Sequence, residues 1–87
     1  MKTLREHYNS LAMDIFNVIR SNDPRKMKEE RRDELKSRME KLDRFYSLEE
    51  KTFGRFRKFD NYMAGIHQSS ETVSILMFQL NEQLETH

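Results

Sequence analysis

Lys51-Thr-Phe-Gly-Arg-Phe-Arg-Lys-Phe-Asp-Asn-Tyr62 sets four rings, Phe53, Phe56, Phe59 and Tyr62, at intervals of three residues. Arg55, Arg57 and Lys58 stand between them. Rings interleaved with cations can stack on nucleotide bases while holding phosphates. The same pattern can be the wet edge of a helix packed in an apolar core. A step of three on a helix falls short of a full turn by about 60°. Four such rings therefore sweep across half the circumference and do not share one narrow seam. An aromatic-and-basic RNA-binding sheet requires four strands to present its rings. This sequence offers no β-branched alternation and no hairpin dipeptide.

A second basic group lies upstream. Arg25, Lys26 and Lys28 with Arg31 and Arg32 could contact phosphates, but Glu29, Glu30, Asp33 and Glu34 are interleaved with them. Mixed charge of this kind is normally a solvated helix face. Between Arg25 and Asp60 there are 13 Lys/Arg and nine Asp/Glu, whereas Ile66 to His87 carries three glutamates and no Lys or Arg.

Catalysis and metal binding find little support. His7, His67 and His87 stand far apart, and no HExxH or comparable spacing occurs. There are two glycines, so no phosphate-cradling loop, and no cysteine, so no thiolate ligand, Cys nucleophile or disulfide framework. No cofactor is expected, and the chain is read as a non-enzyme. No apolar run approaches the roughly 20 residues of a membrane span. Arg5, Glu6, Asn9, Asp14 and Asn17 interrupt the first 20 residues, which do not read as a signal peptide. These features suit a cytoplasmic protein with no membrane partner.

The elements that position these residues are helical. Leu4, Tyr8, Leu11, Ile15, Val18 and Ile19 mark one apolar face of a helix over about residues 3–20. Ser21-Asn-Asp-Pro24 stops it, and Asp23 with Pro24 starts a second helix over about 24–46. Leu35, Met39, Leu42 and Phe45/Tyr46 form its narrow seam. Ser47-Leu-Glu-Glu50 reads as a capping box that marks a break or kink before a third helix over about 48–67, the other reading being one helix that runs straight through. Gly65 and Ser69-Ser70 mark a further break before a fourth, over about 71–85, or a helix continuous with the third.

With 87 residues, 36% of them charged, the chain suits one all-α domain. The expected arrangement is three or four helices as an antiparallel hairpin or small bundle. Val73, Leu76, Met77, Leu80 and Leu84 make a stripe that Ile75 and Phe78 widen, broader than a short monomer readily covers. That breadth predicts a homodimer, with coiled-coil-like packing, or a protein partner. The expected function is a non-enzymatic interaction module, such as an adaptor, inhibitor or regulatory subunit. It would dock through Phe56, Phe59, Met63, Val73, Leu76, Met77, Leu80 and Leu84. The alternative is a nucleic-acid-binding regulator using Arg25, Lys26, Arg31, Arg32, Arg55, Arg57 and Lys58.

Overall fold

The computed structural model describes residues 1–86, and no strand occurs among them. The fold is all-α, with three long helices: α1 (Leu4–Arg20), α2 (Arg25–Phe53) and α3 (Asp60–Glu85). A 3-10 turn over Arg57–Phe59 precedes α3. The molecule is a rod of 46 × 20 × 18 Å, matching the roughly 39 Å that 26 helical residues span at 1.5 Å each. Contacts fix the directions. Asp14 meets Arg38 and Tyr8 meets Asp43, so α1 and α2 run antiparallel. Arg32 meets Asn81 and Tyr46 meets His67, so α2 and α3 do too.

α1 begins on a reciprocal cap. The Glu6 amide donates to the Thr3 hydroxyl at 3.2 Å, and the Thr3 amide donates to Glu6 Oε1 at 3.1 Å. These bonds favour the Glu6 carboxylate and hold its pKa below the usual carboxylate value. The cap therefore strengthens α1 above that range and is lost as pH falls through the lowered value. The helix ends where the Ser21 amide and hydroxyl both donate to the Val18 carbonyl. Pro24 then occupies the cap position of α2, one residue later than Asp23, because its extended backbone suits the flank of the helix.

α2 does not break at Ser47; it continues to Phe53. A running helix already supplies partners for the amides that a capping box would satisfy, so Ser47 and Glu50 have no free donors to exchange. The break falls at Gly54. A Cβ there would sit 2.5 Å from the Glu50 carbonyl oxygen, a backbone atom. Any larger residue would force that last turn apart. The Phe56 and Phe59 amides then donate to Phe53 and Phe56 carbonyls, carrying the chain round.

α3 likewise runs unbroken through Gly65 and Ser69-Ser70. These small residues accommodate α1 instead of ending a helix. Gly65 lies against the Arg5 side chain, 3.2 Å from its Nη1 to the nearest position a Cβ could take. Ser69 is buried, and the Ser70 hydroxyl faces the Tyr8 phenol. Tyr8 thus packs where the inner face of α3 carries serine instead of a large apolar side chain.

The core is a column of Tyr8, Leu11, Ile15, Val18, Leu35, Ile66, Val73, Met77, Leu80 and Leu84. Its far end is closed by a cation. Buried Lys28 donates from Nζ to the Ile19 carbonyl and to Gln83 Oε1, each at 3.2 Å, while Gln83 Nε2 donates to the same carbonyl at 2.9 Å. The ammonium satisfies the open carbonyl end of α1, where positive charge is favoured. Lys28→Met keeps the apolar stem but leaves the carbonyl with one donor fewer. It is expected to lower unfolding free energy by about 2 kcal/mol, the weight of a charged hydrogen bond. Urea titration reads this directly, and an unchanged midpoint would show that the ammonium contributes nothing.

Candidate functional site

The stripe expected to dock is already occupied by the chain itself. Val73, Met77, Leu80 and Leu84 are buried, with Leu80 at 0% exposure. Leu76 and Met63 are half-buried against the same core. α1 covers one flank of α3 and α2 the other, so no second molecule is needed over these residues. Val73, Met77, Leu80 and Leu84 are therefore core rather than open docking residues, and Leu76 and Met63 are partly buried at its edge. Ile75 and Phe78, on the outward face, remain exposed at 59% and 64%.

The four rings do not lie along one helix. Because the chain reverses at Gly54, Phe53 ends α2 while Tyr62 lies in the first turn of α3. They converge into a cluster across the reversal. Phe53 and Phe59 centroids are 4.7 Å apart, Phe53 and Tyr62 6.1 Å, and Phe56 and Phe59 6.4 Å. The Tyr62 hydroxyl donates to Glu49 at 2.9 Å, and its pKa is raised by partial burial and then by that carboxylate. Phe53 and Phe59 are half-buried, and Phe56 is 45% exposed. Arg55 and Lys58 sit 5.3 Å above the Phe56 and Phe59 rings. Ring faces that would stack on bases are thus spent largely on one another and on these cations.

The basic residues proposed for nucleic acid fall into two groups at opposite ends of α2. Arg55, Arg57 and Lys58 are exposed on the aromatic tip. Arg25, Lys26, Arg31 and Arg32 lie at the start of α2, some 40 Å away along a helix of this length. Arg25 pairs with Glu29, and Arg32 with Asp33 and Asn81. Lys28 faces inward, as described above.

A polar seam runs where α1, α2 and α3 meet. Tyr8 donates to Asp43 at 2.7 Å, Tyr46 Oη lies 3.0 Å from His67 Nδ1, and His67 Nε2 lies 2.9 Å from Glu71. The Tyr46 phenol is pushed up by desolvation and then by Glu50 and Glu71. His67 and Glu71 are mostly exposed, so water screens their interaction. Among the described residues no group of three or more acidic or His side chains could hold a metal ion.

The best-formed concavity lies elsewhere, between α1 and α2. Leu4, Leu42 and Phe45 line a cleft of about 410 Å³ together with His7, Arg38, Lys41 and Glu49, whose carboxylate accepts from the Tyr62 hydroxyl. Phe45 is 53% exposed and Leu48, one turn further along α2, is 60% exposed. Arg38 holds Asp14 of α1 at 2.7 Å, which fixes the cleft mouth. Sequence reading placed Leu42 and Phe45 in the α2 seam and did not mark Leu48. The available signal was the spacing 38, 41, 45, 48, a second stripe offset from the core seam at 35, 39, 42, 46. Comparison with protein-family models, curated protein sequences and solved structures finds no match to this chain.

Proposed function

We propose that this chain is a non-enzymatic protein-interaction module that receives an amphipathic helix along the outer face of α2. The supporting observation is the exposure of Phe45 and Leu48 beside the cleft lined by Leu4 and Leu42. Large apolar side chains one turn apart beside a cleft match the spacing of the apolar anchors that an incoming amphipathic helix presents. Lys41 and Arg38 extend the same stripe with positive charge, which selects a partner helix with an acidic flank. The surface differs from the one that the breadth of the C-terminal stripe suggests, but the mode of action, docking by a helix face, is the same.

Photo-crosslinking tests this. A photoreactive residue at position 48 should yield a discrete protein adduct, whereas one at position 36, exposed and on the opposite side of α2 from Phe45, should not. Adducts absent from both positions, or identical at both, would overturn the reading.

A further inference from the structure

α3 carries an outward stripe that no part of the chain covers: Glu71, Ile75, Phe78, Glu82 and Glu85, spaced 4, 3, 4 and 3. All five are exposed. On a helix these spacings keep the residues on one face. It lies on the far side of α3 from α1, because Gly65 and Gln83 are the positions that meet α1. The α2 stripe of Arg38, Lys41, Phe45 and Leu48 is spaced 3, 4 and 3. Read from its carboxyl end, the α3 stripe Glu85, Glu82, Phe78, Ile75 is also spaced 3, 4 and 3.

We propose that α3 of one copy docks antiparallel on α2 of a second copy of this chain. The register sets Arg38 against Glu85, Lys41 against Glu82, Phe45 against Phe78 and Leu48 against Ile75. Both charged pairs are opposite in sign, and both remaining pairs are apolar. The best parallel alignment sets Lys41 on Glu71, Phe45 on Ile75 and Leu48 on Phe78, but leaves Arg38 without an acidic partner, so the antiparallel register gains one charged pair over it. One turn beyond, the antiparallel register places neutral Thr52 against Glu71. Arg38 is shared with Asp14, so Lys41 carries most of the charge selection. Residues 66–87 contain no Lys or Arg, so the α3 stripe brings no like charge to Arg38 and Lys41.

The two stripes are different surfaces facing different ways. The contact is therefore heterologous, and each copy in a pair keeps one stripe open. Assembly continues head to tail until a ring closes or a chain grows. The inference rests on the docking reading above and names its occupant.

Sedimentation of the full chain and five variants tests it, with circular dichroism confirming that each folds. The unaltered chain should associate with rising concentration, and less so as salt screens the rim pairs. Phe45→Asp or Phe78→Asp should each weaken association about 30-fold or more, as loss of a central aromatic anchor does. Mixed together they should form a one-to-one complex, because each variant keeps the stripe that the other lacks. Lys41→Glu and Glu82→Lys should each disrupt assembly, and combined in one chain should restore it. A monomer at the highest soluble concentration overturns the inference, as does association that persists in Phe78→Asp alone. If position 48 then crosslinks to a different protein, self-docking fails and the interaction reading stands. If it crosslinks to nothing, both fail. An adduct of twice the chain mass supports both.

Discussion

Leu80→Asp is expected to leave the chain unfolded at 25 °C. Leu80 has no exposed surface and sits where α3 meets the column of Ile15, Val18 and Leu35. Removing a buried leucine side chain costs about 2–5 kcal/mol through lost burial and the cavity left behind. The carboxylate adds several kcal/mol more, because it would be buried among apolar side chains while the buried cation Lys28 is already bonded to Ile19 and Gln83. A domain of this length has a total stability of only about 4–13 kcal/mol, taking 0.05–0.15 kcal/mol per residue. The penalties together consume most or all of it. Far-UV circular dichroism should show the loss of helix, and Ile75→Asp should not, since Ile75 is solvent-facing and such sites tolerate change within about 0.5 kcal/mol. A folded Leu80→Asp chain that merely stopped associating would restore Leu80 to an interface and overturn its assignment to the core.

The contrast between Leu80 and Ile75 shows what periodicity conveys. The faces of α1 and α3 are legible, because apolar residues at three- and four-residue steps repeat through Leu4–Ile19 and Ile66–Leu84. What periodicity does not convey is how many neighbours cover a face. With two helices flanking α3, a wide arc is enclosed within the chain. Ile75 and Phe78 alone overflow it, and they form part of the uncovered stripe.

Chain breaks were less legible than faces, for a local reason. Thr3-Leu-Arg-Glu6 and Ser47-Leu-Glu-Glu50 are the same capping motif. Thr3 uses it because residues 1–3 are not helical and leave the first amides of α1 open. Ser47 does not, because α2 arrives already formed. The true reversal is at Gly54, where the missing side chain permits close approach to the Glu50 carbonyl. The aromatic spacing of three around Gly54 disguised it as helix. Once the chain turns there, the rings meet across the reversal rather than fanning around one cylinder.

Tyr8 should give the second large effect, and its pH dependence separates two contributions. The ring is fully buried, edge-on to Tyr46 at 6.3 Å, and its hydroxyl donates to Asp43 across the α1–α2 contact. Tyr8→Ala is expected to cost about 3–5 kcal/mol, the range for truncating a buried aromatic ring. Tyr8→Phe keeps the ring and loses one hydrogen bond to an exposed carboxylate, so it should cost only about 1 kcal/mol at neutral pH. Burial, and then the Asp43 charge, raise the phenol's pKa well above the ordinary 10. A group raised in the folded state contributes stability that is intact below its unfolded value and is lost as pH climbs past it. Above about pH 10 the unfolded phenol ionises while the folded one stays neutral, so stability should fall by up to 1.4 kcal/mol per pH unit from this group. Tyr46 and Tyr62 are raised in the same direction and leave a residual slope. Urea unfolding at pH 8, 10 and 11 should therefore show Tyr8→Phe losing less stability with pH than the unaltered chain. The two curves should converge, and parallel curves would show that the Tyr8 phenol reaches water in the folded protein.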